Sequence, residues 1–144
     1  MGRMRQDSRL SRMLHVLIHM ERRGEPATSE DIAQMLGTNA VVVRRTMAGL
    51  RNDGYVTSGK GHGGGWALAR PLKEITLLDV HRALGNPSVF AMGVEQENPT
   101  CLVEQAVNAA LGDAMRQAER ILLDRLGSVT LADLATDVDR RFCS

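Results

Sequence analysis

The sequence predicts a mainly α-helical protein with a small β-wing: a winged helix-turn-helix domain joined to a long dimerisation helix. Three observations predict it. Residues 28–52 hold two short amphipathic segments separated by Gly37, the second carrying several arginines. Residues 55–69 read as two short strands around a glycine-rich tip. Residues 99–126 keep a helical apolar period that would extend roughly 40 Å at 1.5 Å per residue, longer than so small a domain covers by itself.

The elements follow in chain order. Residues 8–23 form a helix with Ser8 as cap and Gly24 as stop, and Leu10, Met13, Leu14, Leu17, Ile18 and Met20 give it a broad apolar face. Arg9 and Arg12 flank that face. His15 and His19 stand at i and i+4, a spacing that can hold a metal on a helix, but the segment supplies no companion ligand. They are read as partly packed or solvated side chains. Residues 25–28 link to the next helix, where Ser29 is the expected cap and Glu30 and Asp31 suit the helix dipole. Ile32, Met35 and Leu36 share one face, and Gly37 supplies the left-handed stop.

Asn39 caps the second helix of the pair, whose Val43, Met47 and Leu50 recur at intervals of four and three. That stripe leaves Val41, Arg44, Arg45 and Arg51 on other faces. Two short helices joined at a glycine, the second presenting arginines, form the pattern of helix-turn-helix DNA readers. Residues 55–58 and 66–69 then read as wing strands around residues 59–65, where Lys60 and His62 can reach beyond a tip that has no other large side chain. Gly59, Gly61 and Gly64 satisfy G-x-G-x-x-G. A dinucleotide site needs a helix directly after that motif, and here a strand-like segment and Pro71 follow.

Residues 71–74 turn the chain into a short helix over 76–84, with Thr76 as cap, Gly85 as end and His81 on its polar face. Residues 85–98 have no period and read as a loop. In the long helix Val107, Leu111, Ala114, Ala118 and Ile121 are spaced 4-3-4-3, a seam suited to a second copy in a two-fold dimer. The alternative cover is the last helix of the same chain. Gly127 ends the seam, Thr130 caps the closing helix, and Leu131, Leu134, Ala135 and Val138 mark its apolar face. Asp133, Asp137 and Asp139 make its outer face acidic, and residues 140–144 read as a frayed tail. The organisation is thus a winged domain over 1–84, a loop and candidate sensor region over 85–98, the long helix over 99–126, and a closing helix with tail over 127–144.

Composition narrows the function. Of 144 residues 43% are hydrophobic but only 3% aromatic, so aliphatic and methionine side chains must fill the core. The net charge of +1 conceals an asymmetry: residues 1–75 hold 12 Lys+Arg against 7 Asp+Glu, and residues 76–144 hold 6 against 10. The half with the helix-turn-helix pattern is the basic half, as expected if that end meets phosphates. No apolar run suits a bilayer and the first residues lack a signal-peptide pattern, so a cytoplasmic protein with no membrane partner is expected. Two cysteines, Cys101 and Cys143, make no disulfide framework and read as thiols. No nucleophile-base-acid spacing, metal quartet or phosphate loop suggests an enzyme.

Four stretches, SEDIAQMLG, VVVRRTMAGLRNDGYVTSGKGHGGGWALAR, ITLLDV and SVTLADL, together resemble the Rrf2 family of bacterial winged-helix transcription regulators, the IscR-, NsrR- and CymR-like proteins. The similarity spans residues 8–138. It implies a dimer whose long helices cross, with each recognition helix in a major groove and each wing at a minor groove of a pseudo-palindromic operator. The DNA-binding residues it implies here are Thr28, Ser29, Asn39, Ala40, Val41, Arg44, Arg45, Arg51, Lys60, His62 and Gly63. Two of them depart from the family. An acidic base-reading residue is replaced by Arg44, which donates to guanine rather than accepting from cytosine. The wing arginine is replaced by Lys60, whose strongly hydrated ammonium fits a narrow groove less well.

The sensing half departs too. Many relatives hold an iron–sulfur cluster on three cysteines spaced C-x5-C-x5-C, and the corresponding positions here are Val89, Glu95 and Cys101. No such cluster, and no other cofactor, is expected. Under either capping choice, Asn98 with Pro99 or Thr100, Cys101 falls in the first turn of the long helix, where the dipole favours thiolate. A thiol-redox response through Cys101 is the expectation, with Cys143 as a partner between subunits. The whole reading is a dimeric, DNA-binding repressor. The alternative is a winged-helix module that binds protein, which the salt dependence of duplex binding would separate.

Overall fold

A computed structural model describes residues 8–59, 64–87, 89 and 100–143, excepting the side chains of Phe142 and Cys143. Helix α1 (Arg9–Arg23) buries Met13, Val16, Leu17 and Met20 and ends at Gly24, which takes a left-handed φ of 72°. The Ser8 hydroxyl expected to cap it makes no such bond. Helix α2 (Ser29–Leu36) is capped by Thr28 rather than Ser29. Thr28 lies in extended backbone with Asp31 three residues on. The Asp31 N–H donates to Thr28 Oγ1 at 3.0 Å, and the Thr28 N–H donates to Asp31 Oδ2 at 3.2 Å. This reciprocal box satisfies two amide donors that a lone Ser29 hydroxyl would leave for water.

Gly37, at φ 67°, turns the chain into helix α3 (Ala40–Asn52), where the Asn39 side chain accepts from the Val42 N–H at 3.1 Å. Val43, Met47 and Leu50 face inward without exposure. Met35, expected on the packed face of α2, is 38% exposed. Strands β1 (Val56–Ser58) and β2 (Trp66–Leu68) pair antiparallel in the register Val56–Leu68, Thr57–Ala67 and Ser58–Trp66. The linker adds a bridge on the other edge of β2, because Ala27 and Trp66 exchange backbone bonds of 3.0 and 2.8 Å.

After a single 3-10 turn (Leu72–Glu74), helix α4 (Leu77–Ala83) starts with the expected Thr76 cap, again a reciprocal box with Asp79. It crosses α3 so closely that a Cβ on Gly49 would stand 2.4 Å from the Ala83 carbonyl oxygen. His81 is not on a polar face as expected. It is 5% exposed, and its Nε2 is a buried atom without a hydrogen-bond partner among the described residues.

Helix α5 (Leu102–Gly127) has 26 residues, starting three later than the expected 99 and including the expected stop Gly127, and none of them is buried. Helix α6 (Leu131–Cys143) returns to the winged unit. Thr130 bridges Thr76, the Leu131 N–H donates to the Ile75 carbonyl at 2.8 Å, and Leu131 is fully buried in the common core. α6 packs on α1 and on the 3-10 turn, so the cover considered for α5 within the same chain is committed elsewhere. Its last residues are helical where a frayed tail was expected. Arg22 donates to Asp139 at 2.6 Å and to the Ala135 carbonyl at 3.2 Å, and Arg141 pairs with Asp137 one turn back at 2.9 Å. Among the described residues no helix is long and apolar enough to cross a membrane.

Candidate nucleic-acid interface

With Val43, Met47 and Leu50 turned into the core, the period of α3 forces Val41, Val42, Arg44 and Arg45 outward. Val41 is 58% exposed, and both arginines lie open to solvent. Asn39 is exposed at the start of the helix, with its oxygen already engaged as the cap. Ala40, the first helical residue, is half-buried. This end of α3 therefore offers a methyl-rich patch followed by two guanidinium groups, chemistry that suits thymine methyls and guanine edges in a major groove.

A shallow groove brings this helix to the wing. Thr28, Ser29, Arg44, Ser58, Gly64 and Gly65 line it together with Trp66. Thr28 is exposed, but its hydroxyl is held in the capping box. Ser29, expected to contact DNA, is instead buried, and its Oγ accepts the Trp66 indole N–H at 2.9 Å. A buried indole needs a partner for its single donor, and the first-turn serine of α2 stands where it can accept. The Ser29–Trp66 bond thus fixes the wing root against the helix pair. The second lock is backbone: at Gly65 a Cβ would lie 2.8 Å from the Ala27 carbonyl oxygen, which only glycine avoids.

Charge in the groove is balanced. Arg44 Nη1 lies 3.7 Å from Glu30 Oε1, an exposed pair that salt and a nearby phosphate can both loosen. Arg51, at the far end of α3, sits with its guanidinium 5.9 Å from the Trp66 ring centre, so it reinforces the wing root from the other side. The residues 60–63 at the wing tip, and with them the expected contacts Lys60, His62 and Gly63, lie outside the described residues. Sequence reasoning missed Glu30 as the neighbour of Arg44 and Ser29 as the acceptor for Trp66. A lone tryptophan at the base of a glycine-rich hairpin was the available signal for the second.

On the sensing side, Cys101 is the N-cap residue of α5 rather than a member of its first turn, and it is half-buried. It remains at the N-terminal end of the helix.

Comparison with known proteins agrees on one group. The model of the Rrf2 family, described as iron-dependent transcriptional regulators, matches residues 6–137. YwnA of Bacillus subtilis, a protein named for HTH-type transcriptional regulation, is 33% identical over 130 residues, 89% of this chain and 95% of its own. Among solved structures, CymR, described as the global cysteine regulator of B. subtilis, is 26% identical with a TM-score of 0.60, covering 92% of this chain and 98% of that one. The oxidized form of Staphylococcus aureus CymR is 25% identical with a TM-score of 0.64, covering 92% and 96%.

The iron in the family description meets an unsuitable donor set here. Of the three positions matching the cluster cysteines, Val89 carries no ligating atom, Glu95 is a carboxylate outside the described residues, and only Cys101 is a thiol. Among the described residues no group of three or more His, Cys, Asp or Glu side chains converges for a metal. A three-thiolate cluster does not fit this chain.

Proposed function

Because the chain belongs to the Rrf2 family of transcriptional regulators, we propose that it acts as a cytoplasmic repressor that grips a pseudo-palindromic operator as a two-fold dimer. Its work is transcriptional regulation rather than catalysis. One observation carries the DNA reading: Val41, Arg44 and Arg45 stand exposed on α3, and Arg44 shares a groove with Thr28 and the wing root. α3 is then the major-groove element, with Arg44 as a base reader and Arg45 and Arg51 serving phosphates. The wing tip, through Lys60 and His62, serves the adjacent minor groove.

The dimer rests on α5. Leu102, Val103, Val107, Leu111 and Ile121 are 40–78% exposed along it. Apolar side chains in a row on a 26-residue helix are covered at low cost by the same row of a second copy. Two copies joined this way present two α3 helices, which suits half-sites about one helical turn apart, roughly 34–36 Å. Cys101 is the candidate signal input, since it caps the start of α5 and a related CymR has been described in an oxidized form.

Fluorescence anisotropy on duplexes selected by the purified protein tests the proposal. Affinity should fall steeply with added salt, and Arg44→Ala should cost about 1–3 kcal/mol and relax preference at one base position. Absence of duplex binding at low salt would turn this face into a protein-binding surface instead. For the input, Cys101→Ser should abolish any peroxide effect on operator binding; an unchanged response would remove Cys101 from the signal path.

A further inference from the structure

The pair His15 and His19 on α1 has a geometry that neither DNA binding nor dimer formation uses. The two side chains lie one turn apart on the exposed flank of the helix, with Nε2 to Nε2 at 2.9 Å and ring planes 67° apart. One ring's Nε2–H donates to the other's Nε2 lone pair. When that proton moves to Nδ1 of its own ring, by tautomer exchange through water, each ring is a neutral imidazole with an Nε2 lone pair. The two nitrogens stand 2.9 Å apart in solvent. We propose that His15 and His19 form a two-imidazole chelate for a divalent transition-metal ion of the Cu2+ or Ni2+ type, completed by water.

The distance selects the metal class. With metal–nitrogen bonds of about 2.0–2.1 Å, a 2.9 Å separation closes an angle of about 90° at the ion. That is the cis angle of square-planar and octahedral centres, which Cu2+ and Ni2+ adopt. A tetrahedral ion such as Zn2+ would need the nitrogens about 3.3 Å apart at the same bond length. The helix backbone holds the spacing, because side chains four residues apart stack on one face.

The surroundings tolerate a cation. The nearby Arg22 and Arg23 are each held by carboxylates, Arg22 by Asp139 at 2.6 Å and Arg23 by Glu25 and Asp31 at 3.3 Å. His15 also shares a groove with Asp137 of α6, whose carboxylate is paired with Arg141. The site would clip one turn of the helix that carries α2 on one side and α6 on the other. It is separate from the Cys101 region and from the family's iron, and it holds whether or not the DNA reading does.

Titration of the full chain with Ni2+ alone by calorimetry, and with Cu2+ alone by electron paramagnetic resonance, tests it. One ion per chain should bind, with nitrogen hyperfine structure from two imidazoles in the Cu2+ spectrum. Loss of an outer-shell partner alone costs a metal site about 10–100-fold, so His15→Ala and His19→Ala should each weaken binding at least about tenfold. Both side chains are exposed, so thermal melts should show both variants folded, and Ni2+ should raise the melting temperature of the unsubstituted chain only. The proposal is overturned if the double variant binds Ni2+ as tightly as the unsubstituted chain. It is equally overturned if the histidine-dependent site prefers Zn2+ to Cu2+.

Discussion

Leu50 of α3 and Leu111 of α5 are the same side chain on two helices of one protein, each in an apolar stripe with spacing of four and three. Leu50 is fully buried, whereas Leu111 is 40% exposed, and its helix contributes nothing to the buried core. The stripe of α3 is answered by α2, β1 and α4. That of α5 meets α4 near one end and otherwise faces outward. The difference teaches that helical period reports which residues want cover but not who provides it. The winged unit with α6 is complete within one chain; α5 is completed by a second molecule in the dimer proposed above.

The largest effects should separate these two leucines. Leu50→Ala deletes packed methylenes inside a closed core and should lower unfolding free energy by about 2–5 kcal/mol, measured by urea denaturation. Leu111→Asp should leave the near-ultraviolet dichroism of the winged unit in place. In sedimentation it should weaken self-association by about 2 kcal/mol or more, roughly thirtyfold. If Leu111→Asp unfolds the chain and leaves its assembly unchanged, the distinction between a self-sufficient unit and an open helix fails.

The same distinction explains what was legible in the sequence. Gly24, Gly37, Asn39 and Thr76 act as the stops and caps that local rules assign, because each depends on neighbours within four residues. The face of α3 that buries Val43, Met47 and Leu50 follows from period alone. What escaped was decided across the chain. Ser29 yields the cap to Thr28 and turns inward because Trp66, thirty-seven residues later, needs an acceptor. His81 is buried because α1, α3 and α5 close around its short helix. The tail stays helical because Arg22, on α1, reaches Asp139. In the candidate site, exposure of Arg44 and Arg45 was readable from the helix period, while Glu30 beside Arg44 required the angle between two helices.

A smaller effect probes the link between core and groove. Ser29→Ala leaves the buried Trp66 indole without its acceptor and should cost about 1–3 kcal/mol of stability. Because Trp66 anchors the wing root, duplex affinity should fall in this variant even after correction for the folded fraction. Ser29→Thr, which keeps the hydroxyl, should restore part of both. A stability loss with unchanged affinity would show that the wing finds its place on DNA without this bond.

The smallest effect is electrostatic and belongs to the winged unit alone. The Thr28 N–H, and after it the Thr28 side chain, hold the Asp31 carboxyl below its ordinary value of 3.8, against a lesser upward push from desolvation. Arg23, 3.3 Å from the carboxylate, adds to the lowering. A carboxyl depressed in the folded state binds its proton more readily once unfolded. It therefore stabilises the fold fully above the ordinary value and loses that contribution as pH falls through the lowered one. Asp31→Asn cannot ionise. The stability difference between the two proteins, from urea unfolding, should stay level from neutral pH to about 5 and close as pH drops below about 4. A difference that widens in acid would reverse the sign and remove the capping box as its cause. The measurement also returns to the two leucines: Asp31 lies in the closed unit, so the difference should not change with protein concentration. A concentration dependence would mean that the first turn of α2 senses the assembly of α5, and that the two regions are coupled rather than independent.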